Sequence, residues 1–507
     1  MSQPPMPPVP PPPPGPPSFG PPTHTGGYYG HQPPYGPVSP QFQQIPGPSS
    51  GDRKRRRAVI AGCVTAALAV LAAGTLAFLH SNDGQQSGAD SKGGSSAKPS
   101  PTSDPLMSRV LLDVSAPKED VEDVEQESRN GEGAWVTPTA YVTGEPYSIR
   151  SYDLDSGKPI WTLPLSGDSC RASTDATSKG YVAVVFAASK KPYTKCTQVA
   201  VFDINNGRKI WQKEVAPASD ATRGLDLSVA ISDSFVAVGW SDDQSHGYAV
   251  DTGKTVWDSP PQGCGYEEYL GGSTVTGLSW CDGEGRYEVT TRDAKTGEPS
   301  RTVQLPDDVG YPYLASADPL LVASYVGDQD SQLDANRIWT FNENGSVKTV
   351  IKADQYVLGC RSGIGTGCGA FVATEDTIYI GTRRENLTSG NDMTALDTRT
   401  GKRKWTVDGV GSAEWKPLRA DKNGIIVFCH AGSNREGSGV FHLAGTDGAQ
   451  TVLMRQPSDF AISDITAQLA PFDMDDPIFY ENGRLLFHRH YGYWQEGIPM
   501  SYVLTIH

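Results

Sequence analysis

Tyr152-Asp153-Leu154-Asp155-Ser156-Gly157-Lys158-Pro159-Ile160-Trp161 ends one apolar stretch in an aspartate, turns at a glycine and opens a second stretch that carries a tryptophan. The same arrangement returns as Phe202-Asp203-Ile204-Asn205-Asn206-Gly207-Arg208-Lys209-Ile210-Trp211. It returns again as Val250-Asp251-Thr252-Gly253-Lys254-Thr255-Val256-Trp257 and as Leu396-Asp397-Thr398-Arg399-Thr400-Gly401-Lys402-Arg403-Lys404-Trp405. Weaker copies surround Gly297, Gly345 and Gly448. A hairpin turn that needs a positive φ takes glycine without a Cβ penalty, and an aspartate or asparagine ahead of it bonds to the backbone two residues on. Each copy therefore reads as a β-hairpin corner.

The seven glycines are separated by 50, 46, 44, 48, 56 and 47 residues. A period of this size with several strands per unit is the signature of a β-propeller, since one four-stranded blade cannot bury both faces alone. Trp161, Trp211, Trp257 and Trp405, paired with Gly157, Gly207, Gly253 and Gly401, are expected to fill the wide outer part between blades. The first and second strands of each unit are expected near 134–152, 181–202, 235–250, 274–291, 320–341, 371–396, 425–441 and 485–506. The eighth pair runs out of chain before its outermost strand, and the only spare strand lies near Val110 to Val114. An all-β, eight-bladed propeller of four-stranded antiparallel blades follows, closed by its own leading strand, with seven blades as the fallback.

The propeller spans 106–507, and what precedes it is built differently. Residues 1–57 hold nearly half of the 40 prolines and end in Arg53-Lys54-Arg55-Arg56-Arg57, the composition of a disordered tail. Residues 58–79 are apolar and uncharged, about 33 Å long as a helix and so sufficient for one bilayer span. The basic cluster places the tail in the cytoplasm by the positive-inside rule, and hence the propeller outside the cell. Residues 80–105 read as a flexible stalk. A net charge of -15, more negative still away from the basic cluster, argues against nucleic-acid binding by the folded part.

The Asp-Thr-Gly-Lys and Thr-Gly-Lys-Arg-Lys-Trp copies at 251–257 and 397–405 resemble the repeat of pyrroloquinoline-quinone-like (PQQ-like) propellers, over about residues 106–507. The layout of basic cluster, span, stalk and propeller is similar to membrane-anchored proteins of actinobacteria. The resemblance implies either a quinone-dependent dehydrogenase or a non-catalytic member such as an outer-membrane assembly lipoprotein. The quinone enzymes carry an adjacent Cys-Cys pair, and no two cysteines are adjacent in this chain. The non-catalytic branch is therefore expected, without cofactor.

No catalytic or metal set emerges. None of the nine histidines lies in a recognisable Ser or Cys motif, and Asp153-Leu154-Asp155-Ser156-Gly157 lacks the later ligands of a calcium loop. Asp473, Asp475 and Asp476 read as a solvated loop. Proximity in sequence pairs Cys170 with Cys196, Cys264 with Cys281 and Cys360 with Cys368, each expected within one blade, and leaves Cys429 either as a buried thiol or as an alternative partner in the third pair. Propellers bind through loops. The longest insertions are expected at 327–336, 382–393, 430–437 and 491–500, the last with Tyr491, Tyr493 and Trp494 as a surface for a peptide or glycan or as a blade-edge seal.

The expected function is a single-pass, membrane-anchored extracellular binding or scaffold module that engages an envelope protein or polymer. The alternatives are a quinone- or calcium-dependent dehydrogenase, and a ligand sensor relaying to a cytoplasmic partner of the proline-rich tail.

Overall fold

The computed structural model describes residues 104–115, 128–191, 194–215, 227–240, 244–258, 264–281, 286–307, 309–326, 335–360, 368–384, 389–409, 413–431, 438–457, 477–489, 491–493 and 499–506. Eight four-stranded antiparallel sheets make up an all-β propeller. Blades 1 to 7 span 134–164, 169–214, 227–258, 264–304, 310–352, 371–407 and 413–455. Blade 8 combines Ile478–Glu481, Arg484–His488 and Pro499–Thr505 with Arg109–Ser115 as its outermost strand. The candidate span at 58–79 lies outside the described residues, among which no helix is long and apolar enough to cross a membrane.

In six blades the pairs read as first and second strands are the second and third, while the stretches at 134–152 and 371–396 open on the first strand and run through the third. In those six a further strand lies inside the pair, such as Leu227–Ile231 in blade 3 or Ala413–Asp421 in blade 7. Leu227–Ile231 is buried at every position, so it shows no period-2 contrast, and Ala413–Asp421 carries Lys416, Pro417 and Arg419.

The seven repeat glycines all adopt positive φ, between +66° and +87°. In six of the seven turns the glycine N–H donates to the carbonyl four residues back, as from Gly157 to Asp153 at 2.8 Å; Gly345 instead reaches Asn342, three back, at 2.9 Å. The aspartate completes the corner. Asp153 accepts from the N–H groups of Asp155 and Ser156, and Asp293 and Asp397 repeat this with their own turn residues. These hydrogen bonds, led by the Ser156 hydroxyl for Asp153 and the Thr400 hydroxyl for Asp397, hold the carboxyls below the ordinary range.

Four of the corners, at Gly207, Gly253, Gly297 and Gly448, also seat a tryptophan of the preceding blade, whereas Gly345 and Gly401 meet Val303 and Ile351. A Cβ on Gly207 would lie 2.6 Å from Trp161, one on Gly253 2.7 Å from Trp211, and one on Gly448 3.0 Å from Trp405. Trp211 donates its indole N–H to the Val250 carbonyl at 2.7 Å and Trp405 to that of Gly445 at 2.9 Å. Blade 8 has no such tryptophan, and Leu111 stands in its place. The Leu111 carbonyl would lie 2.7 Å from a Cβ on Gly157.

Inner strands are tied by single side chains that reach the neighbouring backbone. The Ser169 hydroxyl accepts from Glu132 N–H and Arg171 Nε donates to the Leu227 carbonyl. Ser228 bonds both the N–H and the carbonyl of Tyr269, Glu268 accepts from Leu314 N–H, and the Asn391 amide bonds both the N–H and the carbonyl of Trp415. Such bonds satisfy polar groups that would otherwise be buried unpaired between sheets.

At the closing seam, Arg484 Nε donates to the Leu154 carbonyl at 2.7 Å and the same guanidinium pairs with Asp155. Arg484→Ala is expected to lower the unfolding free energy by about 2–3 kcal/mol, because the buried carbonyl loses a charged donor; urea unfolding measures it. Residues 104–108 extend the latch to blade 7. Ser108 N–H donates to the Arg455 carbonyl, Arg455 N–H to that of Leu106, and Arg455 pairs with Asp104 at 2.7 Å.

Candidate interaction face

The meander order gives the propeller two unlike ends. Strands run antiparallel from the axis outwards, so the turns joining first to second and third to fourth strands share one end. The loops joining second to third strands, and the links between blades, share the other. All the glycine corners therefore lie at one end and all the longer insertions at the opposite one.

The three disulfides lie at the insertion end. Cys170 is in the first strand of blade 2 near its start, and Cys196 opens the third strand of the same blade; their Cα atoms are 6.2 Å apart. Cys264 opens the first strand of blade 4 and Cys281 closes the second. Cys360–Cys368 departs from the expected position within a blade. It ties the link between blades 5 and 6, since the first strand of blade 6 begins only at Phe371. Cross-links at these places shorten the free lengths of the segments least supported by sheet hydrogen bonds.

Cys429 is free and buried, and burial pushes its thiol up to about 12. At pH 8 it therefore stays protonated. Iodoacetamide is expected to leave it unlabelled in the folded chain and to label it after denaturation, as mass spectrometry of the 413–431 peptide will show.

A half-buried ionic chain crosses the same end between blades 6 and 7. Arg384 pairs with Glu414 at 3.3 Å, and His430 stands directly across the ladder from Glu414. Burial holds the His430 imidazole below its ordinary range, so it is neutral at pH 7.

One polar cluster escaped the sequence analysis. His488, Ser501, Tyr141 and Thr143 are all buried and join blade 8 to blade 1. Tyr141 OH donates to Ser501 Oγ at 2.8 Å, Ser501 Oγ lies 2.9 Å from His488 Nδ1, and Nε2 lies 2.8 Å from the Gly131 carbonyl. A carbonyl only accepts, which puts the imidazole proton on Nε2 and leaves Nδ1 as the acceptor. The serine and histidine thus form a hydrogen-bonded pair spent on the seam. No signal in the chain brings Tyr141 to Ser501, because 360 residues separate them.

Burial also raises the Glu132 carboxyl above its ordinary range, against the pull of Arg171 at 3.7 Å. Tyr491–Tyr493 pairs antiparallel with Ser128–Asn130 as a small ribbon on the insertion side of blade 8. Trp494, His490 and Asp473, Asp475 and Asp476 lie outside the described residues.

The family model of the outer membrane protein assembly factor BamB matches residues 100–264 and 195–406, stretches that together cover more than half of the chain. The chain belongs to this PQQ-like propeller family. No curated protein matches it. Among solved structures, BamB from Moraxella catarrhalis is 15% identical, with a TM-score of 0.42 over 75% of this chain and 95% of that one. The computationally designed protein Ika8 is 13% identical, with a TM-score of 0.47 over 78% and 99%. Hsv2p from Kluyveromyces lactis is 11% identical, with a TM-score of 0.38 over 64% and 98%.

Proposed function

We propose that this chain is a single-pass membrane protein whose propeller stands outside the cell and serves as a non-catalytic binding or scaffold module of the envelope. The observation that carries this reading is the gathering of the insertions and all three disulfides at one end, opposite the tightly turned glycine corners. A braced, loop-bearing end on a rigid wheel suits recognition. The disulfides favour an oxidising compartment, in line with the basic cluster and the apolar run at 58–79. The matched family is named for an assembly factor, which favours a protein partner. The buried Ser501–His488 pair and the protonated Cys429 thiol leave neither serine nor cysteine poised as a nucleophile among these groups.

Photo-crosslinking side chains at Lys195 and Glu414 on the insertion end, and at Asp155 and Asp447 on the corner end, test the reading in whole cells. Adducts are expected from the first pair alone, with the propeller digested by external protease while residues 1–57 are protected. Stoichiometric bound quinone with alcohol oxidation, or a propeller protected from external protease, overturns it.

A further inference from the structure

Charge is spread unevenly around the rim of the wheel. Corner and outer strand together run over 342–352 in blade 5 and 398–407 in blade 6, and these segments carry Lys348, Lys352, Arg399, Lys402, Arg403 and Lys404 against a single carboxylate, Glu343. The corresponding segments of the other six blades, at 109–115, 154–164, 204–214, 250–258, 294–304 and 445–455, hold nine cations and seven carboxylates between them. One sector of the rim is thus strongly basic in a chain whose net charge is -15.

The two basic segments touch. Thr349 Oγ donates to the Arg399 carbonyl at 2.6 Å, and a Cβ on Gly401 would lie 3.1 Å from Ile351. Lys404 is taken up by Asp376 and Thr377, Arg399 leans on Asp397, and the neighbouring Asp354 is engaged by Arg337. Lys348, Lys352, Lys402 and Arg403 are exposed and have no ion-pair partner among the described residues. The outer strand Val347–Lys352 also leaves Val347 37% and Val350 42% exposed. Both pair with residues that face blade 4, Phe341 and Trp339, so the valines line one flank of this edge and the blade 6 cations line the other.

Unpaired cations interspersed with open aliphatic side chains suit a surface that is anionic outside and apolar beneath, where lysine and arginine meet phosphates and the valines enter the boundary. A convex rim spread over two blades offers no groove to a single chain. The place where the wheel is tethered agrees with this occupant. Residues 104–108 join the rim at blade 7, next to blade 6, through Ser108 and Arg455. Only residues 80–103 separate Asp104 from the apolar run at 58–79, and fully extended they would reach no more than about 80 Å. A bilayer that holds the run at 58–79 is therefore always within reach of this rim, at a high effective concentration.

Resting on the single-span reading proposed above, we infer that the rim of blades 5 and 6 docks on the anionic headgroups of the membrane that carries the chain. Lys348, Lys352, Lys402 and Arg403 meet the phosphates, and Val347 and Val350 reach the acyl boundary. The wheel then stands on edge, and its insertion end faces sideways, open to a partner. The acidity of the rest of the chain disfavours any other rim against the same surface.

Fluorescence quenching by lipid tests this in the full chain, with Cys63→Ser removing a competing thiol. A fluorophore is attached at Val350→Cys on blade 5 or, as the control, at Thr162→Cys on blade 1, halfway round the wheel. Each chain is placed in lipid discs of pure phosphatidylcholine or with a third of phosphatidylglycerol, with and without a nitroxide-bearing lipid. In the anionic discs, quenching at 350 is expected to exceed that at 162 at least about threefold. It is expected to fall to the level at 162 in neutral discs, in half-molar salt, and when Lys348→Glu, Lys352→Glu, Lys402→Glu and Arg403→Glu are combined. These four side chains are exposed, so the fold is retained, and an unchanged melting temperature verifies it. Equal quenching at both positions, quenching at 350 indifferent to lipid charge, or quenching retained in the combined variant overturns the inference. Absent quenching together with soluble polyglutamate bound through the same four cations assigns the rim to an acidic protein, and overturns it too. Co-elution of the chain with neutral discs is a separate readout: its absence removes the single-span reading, whereas co-elution without quenching removes only the docking.

Discussion

A chain that begins at residue 116 will lose the single cooperative unfolding transition of the intact propeller and will self-associate, and a peptide of residues 104–115 added in trans will restore the monomer. The reason is the outer edge of blade 8. Arg109–Ser115 supplies its fourth strand, with six residues in register against Pro499–Thr505. Val114 is buried, and Leu111 and Leu112 pack against Tyr141, Leu154 and Val503 of blades 1 and 8. At about 2 kcal/mol for each buried aliphatic side chain, discounted for the two half-buried leucines, the strand contributes on the order of 4–5 kcal/mol before its hydrogen bonds. Proteins of this kind have about 5–15 kcal/mol in total, so the loss is a large part of the whole. The exposed Pro499–Thr505 edge would then template pairing with a second copy. Sedimentation and calorimetry of the truncated chain, with and without the peptide, decide the matter. A truncated chain that stays monomeric with the intact chain's transition would refute closure by the leading strand.

Trp405→Ala is expected to cost about 3–5 kcal/mol, the range for truncating a buried aromatic ring. Its ring is 7% exposed, lies over Gly448 of blade 7 and packs with Tyr379, and its N–H holds the Gly445 carbonyl. Trp405→Phe separates the two contributions, since the phenyl ring keeps most of the contact but leaves that carbonyl unpaired, at about 1–3 kcal/mol. Trp161 makes a useful contrast. It occupies the equivalent place over Gly207, yet its buried indole N–H meets no acceptor. Trp161→Phe should therefore change stability by less than about 1 kcal/mol. Denaturant curves for the three variants would expose an error if the two phenylalanine substitutions cost the same.

The corners were legible because their requirement is local. Only glycine takes a φ near +70° without strain, and the Asp153, Asp293 and Asp397 carboxylates cap their own turns within three residues. The need for a latch was equally legible, since an eighth unit without an outer strand and a lone strand at 110–114 leave one economical pairing. The cysteine pairs are short-range too, though Cys360–Cys368 showed that a loop link and a blade hairpin look alike when read by separation.

The innermost strands were hidden for the opposite reason. Near the axis they are covered on both sides, as in Leu227–Ile231, or hold polar clasps such as Ser228 and Glu268 whose partners lie on the next blade. Serine, asparagine and glutamate read as surface or turn residues until the neighbouring sheet is in place. The sequence alone thus determined the corner chemistry, the blade period and the origin of the closing strand, because each depends on residues a few positions apart or on counting them. Only the tertiary structure decided which end gathers the disulfides, which serine meets His488 across the seam, and that Thr349 meets Arg399 on the adjoining blade. Those facts depend on how sheets stack around an axis, and stacking brings together residues that no local spacing relates.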